Sequence, residues 1–139
     1  MKEVHFEGKV AQKAVILRDG KVLVVRDPRE KREIWEIPGG RLNVGENPQQ
    51  GLVREIKEEL GVIGVVGNVI HLTQFLQGSE QKNALMIAYE VTIPNETELQ
   101  FNDGEVCEAR WITADQVEDL NLFPEYRDTL NIYFQKIAE

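Results

Sequence analysis

The sequence is poor in cysteine: Cys107 is the only one among 139 residues. No internal disulfide can form, and a reducing compartment is expected. No apolar run is long enough to cross a bilayer as a helix. The opening MKEVHFEGKV lacks an apolar signal core, so the cytoplasm is the expected location and no membrane partner is expected. Basic residues are in the minority, 16 against 24 acidic ones, for a net charge of −8. A duplex DNA or RNA partner needs a basic face, so that class is set aside. A small phosphorylated ligand is not, because a divalent cation can bridge an acidic protein and an anion. There is also no internal repeat, low-complexity tract or linker. The length fits a single domain over 1–139, long enough to bury a core without staples.

What is present reads as strands, helix, strands, helix. Val10 to Leu17 and Lys21 to Val25 are rich in β-branched residues and flank Asp19-Gly20, the signature of a hairpin. A charged loop, Pro28 to Glu33, leads to a short apolar piece, Ile34 to Ile37, which Pro38-Gly39-Gly40 breaks. Asn47 suits a helix N-cap, Pro48 the first helical position and Gln50 the reciprocal place in a capping box. The helix runs to Leu60, with Gly61 as its left-handed stop. Leu52, Val53, Ile56 and Leu60 form its apolar stripe. Gly51 weakens it by ~1 kcal/mol relative to alanine, which a close approach of another segment's backbone is expected to explain. Val62 to Thr73, Ala84 to Ile93 and Ala109 to Ile112 read as further strands, and Pro94 to Gly104 as a polar loop. Thr113 caps a short helix through Leu120. Pro124 opens a terminal helix with Tyr126, Leu130, Tyr133, Phe134 and Ile137 on its apolar face. This order implies an α/β fold with a mixed sheet between helices.

The first helix carries an unusual charge load. Glu55, Glu58 and Glu59 stand three and four residues apart and so crowd together, and like charges at that spacing cost a few tenths of a kcal/mol per pair. Arg54 relieves only part of this. A solvated helix face is one reading. A magnesium or manganese site is the other, because hard cations take oxygen ligands.

The flanking residues separate the two. From Gly40 to Val62 the chain reads GRLNVGENPQQGLVREIKEELGV. Gly40, Glu46, Arg54, Glu55, Ile56, Glu58, Glu59, Gly61 and Val62 fill every fixed position of a pattern that resembles the Nudix box of the Nudix hydrolases. The resemblance implies an α/β/α sandwich and hydrolysis of a nucleoside diphosphate linked to another group, with Mg²⁺ or Mn²⁺. It implies Glu58 and Glu59 as main metal ligands, Glu55 as ligand or as base on the water, and a carbonyl of Gly39 or Gly40 as a further ligand. Arg54 and Glu46 would orient these carboxylates by a salt bridge. Family members often add a distant loop glutamate; Glu105, six residues before Trp111, fits that place as metal ligand or catalytic group. Glu108 is the alternative, and an ordinary loop acid a third reading. Homodimers are frequent in the family.

Physical chemistry agrees with those roles. A bare carboxylate cluster repels a pyrophosphate; bound divalent metal reverses the local sign and acidifies a water, and a carboxylate beside it takes the proton. For substrate contacts the sequence offers Arg26 at a strand end, with Phe75, Tyr89 and Phe123 as stacking surfaces or as ordinary core. Trp35 is expected to pack beneath the Pro-Gly-Gly loop. Cys107 has no visible catalytic partner and reads as a small buried hydrophobe. His5 and His71 have no metal-ligand spacing.

Subgroup marks after the box are sparse. Phe75 to Glu80 carries neither the proline similar to ADP-ribose pyrophosphatases nor the tyrosine similar to dinucleoside polyphosphate hydrolases. Asn121-Leu122-Phe123-Pro124 is similar to MutT-type members. The leading expectation is therefore a small nucleotide substrate, a nucleoside triphosphate cleaved to monophosphate and pyrophosphate. ADP-ribose or nucleotide-sugar cleavage, and a non-catalytic nucleotide sensor, are the alternatives. An RNA 5′-end pyrophosphohydrolase is disfavoured by the acidic balance.

Overall fold

A computed structural model describes residues 2–94, 98–102 and 104–139. Among these residues, six strands and two helices follow in the order β1 (Lys9–Arg18), β2 (Lys21–Arg26), β3 (Gly39–Arg41), α1 (Pro48–Leu60), β4 (Val65–Gln77), β5 (Lys82–Thr92), β6 (Glu108–Ile112) and α2 (Pro124–Ile137), with a 3₁₀ turn at Ala114–Gln116 before α2. The strands form one mixed sheet in the order β4-β5-β1-β2-β6, with β3 paired to β1. β1 runs parallel to β5 and antiparallel to β2.

The hairpin forms where the sequence places it. Asp19 and Gly20 both take positive φ, 52° and 77°, as a two-residue turn matched to strand twist requires. β1 is buried on both faces, so its two sets of alternating side chains serve two different cores. Ala14 and Ile16 pack with Leu52, Ile56 and Leu60 of α1. Val15 packs with Tyr126, Leu130 and Tyr133 of α2. That is the expected sandwich, with a helix on each side of the sheet.

α1 begins as its capping box prescribes: Gln50 N–H donates to Asn47 Oδ1 at 2.9 Å, and Gly61 ends the helix at φ 70°. At Gly51 the visitor is a side chain: a Cβ there would meet Gln12 Nε2 at 2.7 Å. Gln12 is fully buried, and its amide has no hydrogen-bond partner among the described residues.

Several boundaries differ from the sequence reading. Pro38-Gly39-Gly40 does not simply interrupt a strand; Gly39–Arg41 pairs with Ala11–Lys13 as β3. Ile34 to Ile37 contributes only isolated bridges, Val25 to Glu36 and Trp35 to Leu122. β4 extends to Gln77 and so takes in Phe75, because a tight turn with Gly78 at φ 76° and Gln81 at φ 54° joins it to β5. The helix expected from Thr113 to Leu120 is one 3₁₀ turn. Ile137 of α2 stays exposed, although Tyr126, Leu130 and Tyr133 are buried as expected. Part of the loop expected over 94–104 lies outside the described residues. No helix among the described residues is long and apolar enough to cross a membrane.

Candidate active site

A cleft of about 500 Å³ opens between β1, β3, α1 and the loop that carries Glu105. Its size suits a small ligand. One end is acidic. Glu55, Glu59 and Glu105 each offer a carboxylate oxygen, and these three atoms lie within 4.8 Å of one another. The helix explains two of them. Successive residues turn about 100° around the axis, so positions four apart lie nearly one above the other. Glu58 is turned away by a full step from Glu59 and stands 47% exposed, outside the group of three.

Arg54 organises this end. Its Nε and Nη2 clasp Glu46 at 2.7 and 3.0 Å, and Nη1 donates to Glu55 Oε1 at 2.9 Å. The same Nη1 reaches Glu58 Oε2 at 3.3 Å. A bidentate clasp of this kind fixes a guanidinium in direction as well as in place. Glu46 is held below its usual range by the Arg54 hydrogen bonds. Burial pushes Glu55 up, against the pull of Arg54.

Glu59 is only 7% exposed. Its Oε2 accepts one hydrogen bond, from Gly39 N–H at 2.9 Å. Burial, only partly offset by Lys13 and that hydrogen bond, pushes its carboxyl up to about 8. The two glycines make this arrangement possible. Gly39 takes φ 141°, and a Cβ there would meet Lys13 Cα at 2.9 Å. A Cβ on Gly40 would run into the Glu55 carboxylate.

The other end of the cleft contains residues to which the sequence reading gave no role in a site. Lys13, in the middle of β1, is 6% exposed. Its Nζ lies 3.8 Å from Glu36 Oε1 and 5.2 Å from the centre of the Tyr126 ring. Burial alone would push Lys13 down, but Tyr126, Glu36 and Glu59 facing it outweigh burial and raise it. One signal was available: a lysine set in the run VAQKAVIL, where every neighbour is apolar or buried.

The proposed substrate contacts are scattered. Arg26, Phe75 and Phe123 are not among the residues that line the cleft. Arg26 donates to Glu108 Oε1 at 3.0 Å, which engages Glu108 outside the acidic group. Phe75 and Phe123 pack against the core on the α2 side, Phe123 edge-on to Tyr126 at 5.9 Å. Tyr89 is core, 4% exposed. Trp35 is buried in the α2-side core, with the guanidinium groups of Arg26 and Arg110 over its ring. Cys107 is exposed, contrary to the expectation of a buried hydrophobe; its backbone N–H is tied to Arg26 O at 3.0 Å in the loop leading into β6, which leaves the thiol at the surface.

The chemistry of the donor set can be tested against a hard cation. Among the described residues Glu105 Oε2 is buried without a hydrogen-bond partner, and Glu59 is a buried acid with one donor. Unpaired buried carboxylates are costly, and an oxygen-seeking divalent ion removes that cost. The residues fit the ion.

Comparison with known proteins follows the same line. The model of the NUDIX domain family matches residues 9–131. The chain is similar to the CTP pyrophosphohydrolase of Escherichia coli K12, 41% identical over 59 residues, which is 41% of this chain and 44% of that protein. It is also similar to Nudix hydrolase 7 of Arabidopsis thaliana, 27% identical over 101 residues, 70% of this chain and 36% of the relative. The chain thus spans less than half the length of these curated relatives. Among solved structures, the solution structure of the E. coli ORF135 protein superposes with a TM-score of 0.78 at 26% identity, covering 94% of this chain and 91% of the other.

Proposed function

The chain belongs to the NUDIX family, and from that premise we propose that it hydrolyses a phosphoanhydride bond in a nucleoside diphosphate linked to a further group, using Mg²⁺ or Mn²⁺. The leading substrate class is a nucleoside triphosphate, cleaved to monophosphate and pyrophosphate. The observation that carries this is the convergence of Glu55, Glu59 and Glu105 within 4.8 Å at one end of the cleft. The similarity to a CTP pyrophosphohydrolase supports the triphosphate class.

Glu55, Glu59 and Glu105 would hold the ion, with Glu58 joining them when its link to Arg54 is exchanged. When bound, the ion supplies Lewis-acid polarisation of phosphoryl oxygens and acidifies a water. The chain's own residues do the rest. Arg54 fixes Glu55 through Oε1, which leaves the other carboxylate oxygen either to ligate the ion or to take a proton from the attacking water. The water oxygen bonds to phosphorus, the bridging P–O bond breaks, and pyrophosphate leaves with the electron pair. Gly39 N–H holds Glu59 in place throughout.

The test is product release from a panel of nucleoside triphosphates, ADP-ribose, nucleotide sugars and dinucleoside polyphosphates with Mg²⁺, wild type beside Glu59→Gln. Turnover that disappears in the variant supports the reading, and the best substrate names the class. No turnover from any compound, with nucleotide still raising the melting temperature, overturns it in favour of a nucleotide sensor.

A further inference from the structure

Lys13 is the residue that the proposed hydrolysis leaves unexplained. A lysine in the centre of a strand buried on both faces gives up hydration that an apolar residue would not. A fixed ammonium near Glu59 also works against holding a divalent cation there. Something at this end of the cleft must use it.

The surroundings narrow the choice. Glu36 is fixed by its backbone, which exchanges hydrogen bonds with Val25 at 2.8 and 2.9 Å. Lys13 is fixed by β1, between β3 and β5. The 3.8 Å separation of Nζ from Glu36 Oε1 is an ion pair but too long for a good hydrogen bond. Tyr126 takes one Lys13 donor; the remaining donors on Lys13 and acceptors on Glu36 are left for a third party, and all three residues line the cleft. The pair is net neutral. A phosphate brought to the ammonium would meet the Glu36 carboxylate as well. A neutral group that offers an acceptor beside a donor satisfies both.

Building on the nucleotide reading above, we propose that Lys13 and Glu36 form a donor–acceptor pair that reads the polar edge of the substrate's nucleobase and selects bases with a carbonyl beside a ring N–H, uracil and guanine, over adenine and cytosine. The ammonium donates to the carbonyl oxygen, and the carboxylate accepts from the neighbouring ring N–H. Adenine and cytosine present a ring nitrogen beside an amino group instead, a weaker and less projecting acceptor for the ammonium. Both groups are carried on backbone held by sheet hydrogen bonds, so little ordering is needed on binding.

The experiment is calorimetric binding of CMP, UMP, GMP and AMP in EDTA, so that neither metal nor turnover enters. UMP and GMP are expected to bind at least about tenfold tighter than AMP and CMP, the scale of one well-placed paired contact to a base edge. Lys13→Met is expected to erase most of that difference and to leave AMP nearly unchanged. Glu36→Gln, which keeps the side-chain shape, is expected to narrow it too and carries the test if Lys13→Met does not fold. Equal weakening of all four ligands in the variants overturns the proposal, since the ammonium would then be reading phosphate. Unchanged selectivity overturns it in favour of a counter-ion role, and so does absence of binding at millimolar ligand. Base-selective binding without hydrolysis would leave this inference standing while the hydrolase reading falls; hydrolysis with base-blind binding would do the reverse.

Discussion

The two ends of the cleft are built on opposite electrostatic terms. At one end three carboxylates are brought within 4.8 Å of each other, one of them almost wholly buried and holding a proton up to about pH 8. At the other, a buried ammonium and a carboxylate stand 3.8 Å apart and cancel. The acidic end gathers carboxylates that only Arg54 and one backbone N–H answer from close by, and an oxygen-seeking cation would complete it. The paired end already sets a cation against an anion and suits a ligand edge that offers an acceptor beside a donor. The two ends are not independent, because Lys13 also faces Glu59, but they offer different chemistry to the charged and the uncharged parts of the proposed nucleotide.

The strongest way to break this contrast is at Glu59. Glu59→Gln is expected to lower kcat by about 10²-fold or more, the scale of losing one preorganised electrostatic group. Metal-free binding of a nucleoside monophosphate should barely change. Calorimetry beside steady-state kinetics checks both halves, and loss of monophosphate binding in the variant would merge the two ends into one. Arg54→Ala comes next. Removing the partner that orients a ligating carboxylate costs roughly 10–100-fold in activity or metal affinity, and base selectivity should again be spared.

The glycines sharpen the comparison, because Gly39 touches both ends and Gly40 only one. Gly39→Ala places a side chain at φ 141° and against Lys13. It should cost about 1–3 kcal/mol of stability, and its effect should reach both metal affinity and base selectivity. Gly40→Ala displaces only the flexible end of Glu55. Its stability cost should stay under about 1 kcal/mol, with kcat falling and selectivity intact. Denaturant melts and the two binding assays separate these outcomes.

The smallest effect is one of pH. Glu59 has a folded value near 8 against an ordinary 4.5, and Glu55 is shifted in the same direction. Between those values the folded protein keeps a proton that the unfolded chain releases. The associated stability is complete below about 4.5 and is lost as pH rises toward 8. Metal-free protein should therefore melt at progressively lower temperature across that window. Mg²⁺ should reverse the trend, because the cation replaces the proton. A melting temperature that does not fall over this range would mean the acidic end is better compensated than its geometry indicates.

Much of the acidic end was legible in the chain because a helix is a local structure. Its cap at Asn47, its stop at Gly61 and the placement of Glu55 and Glu59 four residues apart all follow from nearest-neighbour geometry. The clasp of Glu46 by Arg54 followed from the family pattern and is present. Glu58 was harder, since whether a carboxylate one step round the helix turns inward depends on what competes for it, and here Arg54 does. The choice between Glu105 and Glu108 was open for a related reason: both are loop acids near a strand end, and only the packing shows Arg26 engaging Glu108 while Glu105 turns to the cluster.

The sequence by itself determined the hairpin, the capped helix with its apolar stripe and the identity of the acids on α1, because each depends on residues within a few positions of one another. Tertiary structure alone decided that Gly39–Arg41 would pair as a strand, that Phe75 and Phe123 would pack into the core, and that Lys13 and Glu36 would face each other across the cleft. Those contacts join residues tens of positions apart, and a chain carries no local signal for a partner that only sheet order and strand register bring within reach.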